Sequence, residues 1–405
     1  MGMRRWAALA LALALALAGA ALGETRLMVV SDIHYLAPEL REDSPLFLRV
    51  LRAGDGKIAQ HGDALLDALA DTAARERPDA LIVTGDLSFN GERASHEALA
   101  RRFAAIEAAG TPVWVIPGNH DINSPKPVGF SGEAWHDVEG VTPEAFSAIY
   151  ADFLGPPAAG ANLSYTFDAG PLRVAMADVA FYEGMGQTFG VFTDGHRRWL
   201  EAALKDARRD GATAITATHH SLLAHTEFSR DSFLMLGSEA MAALARQYGV
   251  ALNLSGHLHV QHIARADGLA DAALGAFCLW PHRYAIVTLD DSGALRYAAK
   301  SLDADALPEG FPDMSRAWFE DIARDKAAAS LAEQGLPDEA VSAMADFAAR
   351  FNLAYFSGTY RSDDPAWRAD PAFELWRGAG GVFGQYLTMV MDEPNGNNIT
   401  WRSRA

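Results

Sequence analysis

Leu27-Met28-Val29-Val30-Ser31-Asp32-Ile33-His34 sets a pattern that the chain repeats four more times: a short apolar run leading at once into residues that bind divalent metals. The other runs are Ala80-Leu81-Ile82-Val83, Val113-Trp114-Val115-Ile116, Ala214-Ile215-Thr216-Ala217 and Val250-Ala251-Leu252-Asn253-Leu254. They lead into Gly85-Asp86, Gly118-Asn119-His120-Asp121, His219-His220 and Gly256-His257-Leu258-His259. Runs this short and aliphatic predict strands buried on both faces. In open α/β sheets ligands bind beyond the carboxyl ends of the strands, so five such ends can converge although they lie far apart in sequence. Convergence is what a metal cage requires.

Apolar residues recur at intervals of three and four over residues 63–77, 92–109, 194–210 and 238–248, predicting helices between the strands. Strand and helix therefore alternate, which argues for a layered α/β core. Residues 166–168 and 173–178, separated by Ala169-Gly170-Pro171, predict a hairpin, with further strands at 285–289 and 294–298. The pattern changes near Leu302. From 314 to 351 the chain is rich in Ala, Asp, Glu and Arg at helical spacing, interrupted by Gly335-Leu336-Pro337, and 392–405 is polar and expected to be irregular. The division expected is a main domain over 24–302 and a mostly helical C-terminal domain over 303–405.

The N-terminus carries Arg4 and Arg5, then an Ala/Leu-rich stretch, then small residues at 18–21, which is the layout of a cleaved signal peptide over residues 1–23. The apolar stretch is at the short end for a spanning helix and has no second charged flank, so no stable membrane insertion is expected after cleavage. The expected destination is outside the cytoplasm, periplasmic or secreted. Cys278 is the only cysteine, so no internal disulfide can form; between Phe277 and Leu279 it reads as a core residue. The formal charge of −18, about −20 once Arg4 and Arg5 are removed, opposes binding to nucleic-acid polymers, which depends on neutralising phosphates. Bound divalent cations reverse that charge locally, so a small phosphorylated substrate is compatible.

Asp32 and His34 are two residues apart, as are His257 and His259, and in extended backbone that spacing points both side chains to one face. Carboxylate, imidazole and amide donors without thiolates suit Mn, Fe, Zn or Co. Asp32, His34 and His259 can be grouped on one ion and Asn119, His219 and His257 on another, which leaves Asp86 to bridge the two. Such spheres keep open positions, as catalytic metals do. Two ions about 3.5–4 Å apart can share a hydroxide of lowered pKa and hold the attacking and leaving oxygens of an in-line phosphoryl displacement, so the reaction expected is phosphoester hydrolysis. His120, beside Asn119 but outside the ligand set, is the candidate acid for the leaving group, with Asp121 expected to orient it. Singly, any of these residues would be read as a turn or capping residue; as an ordered set they point to metal.

The ordered blocks D-x-H, G-D, G-N-H-D, H and G-H-x-H resemble those of the calcineurin-like metallophosphoesterase superfamily. The resemblance covers about residues 27–302 and implies a four-layer α/β/β/α sandwich. Asp32-Ile33-His34-Tyr35-Leu36, Asp55-Gly56-Lys57 and Gly85-Asp86-Leu87-Ser88-Phe89-Asn90-Gly91 resemble secreted bacterial cyclic-nucleotide phosphodiesterase-like members. So does Asn352-Leu353-Ala354-Tyr355-Phe356-Ser357-Gly358-Thr359, which is similar to part of their helical C-terminal domain. The resemblance implies attack by a metal-bridging hydroxide on a small phosphodiester, with a 3',5'-cyclic nucleotide as the leading substrate. The alternatives are a phosphomonoesterase or protein phosphatase on the same site, and a non-catalytic scaffold on this fold. Purple acid phosphatases carry a tyrosine three residues after the bridging aspartate; here that residue is Phe89. The fourth block departs from the usual pattern with Ser221 after His219-His220; the ligand role passes to His219, while His220, His282 and Arg283 are left open. His61, His96, His136, His196, His225 and His262 have no partner spacing that singles them out.

Overall fold

The computed structural model describes residues 24–42, 44–183 and 188–403. In strand β1 (Thr25–Val30), Met28 and Val30 face one apolar layer while Leu27 and Val29 face another. That division is what a run hydrophobic at every position is for, since a strand sends successive side chains to opposite faces. The remaining strands of its sheet are β2 (Ala80–Thr84), β3 (Val113–Ile116), β12 (Arg283–Leu289), β13 (Leu295–Ser301) and β14 (Thr400–Arg402), in the order β14-β13-β12-β1-β2-β3. Strands β1, β2 and β3 are parallel, so the metal-type residues after them emerge on one edge.

A second sheet runs β10-β11-β9-β8-β7-β6. Its strands are β6 (Tyr165–Ala169), β7 (Leu172–Ala177), β8 (Thr213–Thr218), β9 (Leu252–Ser255), β10 (His262–Ala266) and β11 (Leu269–Ala273). Strands β7, β8 and β9 are parallel. The two sheets meet through one buried cluster that includes Leu27, Val29 and Ile82 from the first and Val174, Ile215 and Leu254 from the second. Helices Gly62–Glu76 and Arg93–Ala108 cover the outer face of the first sheet through Leu65, Leu69, Leu99 and Phe103. Helices Asp194–Asp210 and Ser238–Gln247 cover the second through Leu200, Leu204, Met241 and Ala245. The result is the expected four-layer α/β/β/α sandwich.

Local chemistry sets the element ends. Helix Asp194–Asp210 starts with a capping box in which Thr193 and His196 exchange hydrogen bonds, and it stops at Gly211, whose φ of 71° is open to glycine. His196 also donates through Nε2 to the Asp178 carbonyl (2.7 Å), so its role is structural.

Beyond β13 the chain forms helices Phe311–Leu331, Asp338–Phe356, Pro371–Ala379 and Gly381–Asp392. Their core, with Phe347, Phe351 and Trp376 at its centre, takes in Leu258 and Val260. Leu258 lies between His257 and His259, so the helical region braces that loop from behind. Cys278 is buried with Phe319 and Leu353, as a core residue.

The sequence expectation misses several elements, among them β10, β11 and helix Pro45–Ala53. Hairpin β4–β5 (Val128–Ser131 and Ala134–Asp137) went unread because β5 is wholly exposed and carries no buried face. The polar tail is irregular over 393–399, as expected, but it is held in place: β14 at its end pairs antiparallel with β13, and Asn398 is 2% exposed. The Asn398 carbonyl accepts from Gln261 Nε2 (2.7 Å), and its Oδ1 accepts from the Ile263 backbone N–H (3.0 Å). The asparagines satisfy buried backbone, which no hydropathy pattern signals. The N-terminal stretch read as a signal peptide lies outside the described residues, and no helix among those described is long and apolar enough to cross a membrane. Asn398→Ala leaves the Ile263 N–H without its acceptor, so the thermal midpoint should fall by an amount matching about 1–3 kcal/mol; an unchanged midpoint would contradict the tail's structural role.

Candidate metal centre

Five of the seven residues expected to bind metal sit in left-handed backbone: Asp32 (φ 54°), His34 (45°), Asp86 (50°), His257 (63°) and His259 (60°). For a residue with a Cβ this conformation costs about 1–2 kcal/mol, and it persists only where surroundings impose it. Here the strand-end loops impose it on one another. The Asp32 N–H donates to the Gly85 carbonyl (3.0 Å), that of His34 to Asp86 (3.0 Å) and that of Gly256 to His219 (2.9 Å). The glycines in the motifs follow from the same crowding. A Cβ on Gly118 would lie 2.2 Å from Asp86 Oδ1, and one on Gly256 would lie 1.9 Å from Ser31 Oγ.

The seven side chains form two adjoining groups. Ligand atoms of Asp32, His34, Asp86 and His259 lie within 4.8 Å of one another, as do those of Asp86, His219 and His257. Asp86 belongs to both: its Oδ2 is 3.5 Å from His34 Nε2 and its Oδ1 is 3.3 Å from His219 Nε2. Asn119 joins the second group, with Oδ1 3.1 Å from His219 Nε2. In the first group His34 Nε2 and His259 Nε2 face each other at 3.2 Å, and His34 Nδ1 is buried with no partner among the described residues. Imidazole nitrogens and carboxylate oxygens aimed at one point, with too few protons among them, fit a divalent cation.

Burial opposes charge on Asp86, His34, His219, His257 and His259, and the neighbours overcome it at some of them. Desolvation works against the Asp86 carboxylate, yet His219, His120 and His34 hold its pKa well below the usual carboxylate range. Burial also works against protonating His219, but the Asp86 charge carries its pKa up to about 9. Burial and the Lys57 ammonium oppose protonation of His259; hydrogen bonds to Asp32 and Asp55 override them and take it to about 9. His34 and His257 are pushed well down, chiefly by desolvation.

Tautomers are fixed from behind. His219 Nδ1 donates to the Thr84 carbonyl (2.8 Å) and His259 Nδ1 to Asp55 Oδ2 (2.7 Å), leaving each Nε2 for a metal. Asp55, itself paired with Lys57 (3.1 Å), is absent from the sequence-derived ligand set. Its only signal was the Asp55-Gly56-Lys57 likeness, since a partner 204 positions away leaves no spacing to read.

His120 lines a cleft of about 410 Å³ together with Asp86, Asn119, His257, His259, Phe233 and Phe356. Its Nδ1 donates to the Phe89 carbonyl and to Asn90 Oδ1, both at 3.0 Å, while its backbone N–H donates to Asp86 Oδ1 (2.9 Å). Asp121 does not orient it. The Asp121 carboxylate is fully buried and accepts from the backbone N–H groups of Leu87, Ser88 and Gly118, at 3.1, 2.9 and 2.8 Å, so it ties the second and third strand ends together instead. His220 falls outside both groups, its Nε2 donating to the Thr188 carbonyl (3.2 Å). His282 bonds Phe277 and Ser315, and Arg283 bonds Ser301 and the Ser357 carbonyl; both are struts to the helical region and neither lines the cleft. Asp55→Ala should weaken metal binding about 10–100-fold through loss of the His259 orientation, measured by competition with a chelating dye; unchanged affinity would show that the contact does not matter.

Residues 25–261 match the calcineurin-like phosphoesterase family, and residues 297–397 match the C-terminal domain of cyclic nucleotide phosphodiesterase. A glycerophosphodiester phosphodiesterase from Enterobacter lignolyticus is 28% identical over 191 residues, which are 46% of this chain and 57% of the relative. A probable cyclic nucleotide phosphodiesterase from Rhodococcus erythropolis is 26% identical over 208 residues, 51% of this chain and 60% of the relative. The chain thus spans under two thirds of the length of these curated relatives. Among solved structures, a dimetal phosphatase from Danio rerio shares the fold with a TM-score of 0.50 at 15% identity, covering 69% of this chain and 96% of that one. The family and the two donor groups together give this chain a centre for two divalent metals of unspecified identity. With its first match extending over more than half of the residues, the chain belongs to the calcineurin-like phosphoesterase family.

Proposed function

We propose that the protein hydrolyses small phosphodiesters, with 3',5'-cyclic nucleotides as the leading substrates. The observation that carries this reading is the cleft, whose lining combines donors from both metal-type groups and His120 with apolar Phe233, Leu258 and Phe356. Such a site suits a phosphate that bears an organic group. The match of residues 297–397 and the name of the Rhodococcus relative support a cyclic nucleotide. The Enterobacter relative's name favours glycerophosphodiesters as a second reading. A purely scaffolding role fits poorly, because the donor set is whole.

Asp32, His34 and His259 would hold one ion and Asn119, His219 and His257 the other, with Asp86 between them. Bound there, two divalent ions would supply a water of lowered pKa and neutralise phosphoryl charge. The chain's own contribution centres on His120. Its Nδ1–H is committed to Phe89 and Asn90, so only Nε2 can exchange a proton with a ligand in the cleft. Burial lowers its pKa, and an arriving phosphate anion acts in the opposite sense. A proton on Nε2 is therefore favoured while substrate is present and is readily given to the departing alkoxide. Phe89 serves through its carbonyl, and its ring packs on Phe47 at 5.9 Å.

Export is part of the proposal, supported by the charged and apolar segments of residues 1–23; N-terminal sequencing of the mature protein should find a start near Glu24. His120→Asn should lower kcat about 10²–10⁴-fold with metal content unchanged, and an unaltered kcat would remove the acid role. A panel of cyclic AMP, glycerophosphoethanolamine and a phosphomonoester with manganese-loaded protein tests the substrate class. Turnover confined to the monoester would overturn the diesterase reading.

A further inference from the structure

Behind the metal cleft lies a second pocket of about 170 Å³, and the two share Asp55 and Phe356 as wall residues. It is made almost entirely by the helical C-terminal region. Phe319 comes from helix Phe311–Leu331, Asn352 and Phe356 from Asp338–Phe356, and Phe383 and Tyr386 from Gly381–Asp392. Aromatic walls on several sides favour a flat π-system, which gains offset-stacked or edge contacts there. Phe356 is tilted 60° against Phe319 with ring centroids 5.2 Å apart, and Phe383 meets Tyr386 edge-on at 5.8 Å.

One polar group in this wall is held ready. Tyr386 Oη donates to Asn352 Oδ1 (2.8 Å), which fixes the amide orientation and leaves Nδ2 with no protein partner among the described residues. Asn352 is only 8% exposed and lines the pocket, where its free donor is available to a ligand. Lys326 stands at the rim, exposed and without an ion pair among the described residues. An oriented amide with an ammonium nearby is the equipment that reads ring nitrogens and carbonyls on a base edge. Asn352 and Phe356 open and close the segment Asn352-Leu353-Ala354-Tyr355-Phe356, and Ser357, the residue after it, is fixed against the sandwich by the Arg283 bond to its carbonyl (2.7 Å).

We propose that this pocket is the nucleobase subsite of the enzyme: the phosphate lies at the metal centre, the base stacks on Phe356 beyond it, and Asn352 hydrogen-bonds the base edge. The inference rests on the phosphodiesterase reading for its substrate class. It gives the helical region a specificity role distinct from bracing the Gly256–His259 loop.

The test is calorimetric titration of the metal-loaded full chain with adenosine, which has no phosphoester and so reports on the pocket independently of turnover. Saturable binding is expected, weakened at least tenfold by Asn352→Leu and by Phe383→Ala, with far-ultraviolet dichroism and metal content as wild type. No adenosine binding by the wild type, or equal binding by both variants, would overturn the proposal. In kinetics, both variants should raise KM for cyclic AMP and lower its kcat/KM relative to that for glycerophosphoethanolamine; an unchanged ratio would equally overturn it. Loss of adenosine binding in the variants of a protein that hydrolyses no diester would refute the phosphodiesterase reading and leave the base pocket standing.

Discussion

The Asp86 carboxylate points one oxygen toward His34 and the other toward His219, and the rest of the structure is arranged to make that possible. A fully buried carboxylate is costly unless it is paired and hydrogen-bonded. Asp86 meets that condition from four strand ends: β2, which carries it, β1, which supplies His34, β3, which supplies the His120 N–H, and β8, which supplies His219. The left-handed backbone at five ligand positions is the strain this convergence entails, and the loops at neighbouring strand ends in each sheet offset it with hydrogen bonds to one another. Metal binding would relieve the remaining imbalance, in which facing imidazoles compete for too few protons.

Around this centre, polar residues divide into those that meet the cleft and those that hold the loops. His120 meets the cleft, whereas Asp121, its immediate neighbour, ties down backbone amides. The same division separates His219 from His220 and His259 from His262. Buried His225 and His262 share a 2.9 Å contact, and His225 reaches Asp271, whose carboxylate accepts from the Leu222 and Leu223 N–H groups. That cluster anchors the segment carrying Phe233, which packs on His257 with ring centroids 5.1 Å apart. The helical C-terminal region acts on the centre twice, by packing behind Leu258 and by sending Phe356 into the cleft.

Much of this was legible in the sequence because strand and metal residue are adjacent there. The run from Leu27 to Val30 states its own burial on two faces, and Asp32 and His34 follow directly. Helix Asp194–Asp210 was readable from its apolar residues at intervals of three and four, and Thr193 and Gly211 hold its ends in the structure. What escaped depended on distant partners or on absent periodicity. Asp55 matters through a histidine 204 residues later, and Asn398 through the backbone of Ile263. Hairpin β4–β5 buries too little on β5 to leave a hydrophobic signature, and Asp121 looked catalytic only because it adjoins His120. Side chains from different elements that share one small volume are set by the fold, so neither the Asn352 amide nor the Phe356 wall could be assigned before the helices were in place.

The central claim is that one carboxylate joins two metal sites, and metal stoichiometry tests it most directly. Elemental analysis of wild type and Asp86→Ala after extensive dialysis should give two divalent ions per chain for the first. For the second the expectation is loss at both sites, because each donor group contains Asp86. A folded Asp86→Ala protein that keeps two tightly bound ions would contradict the account.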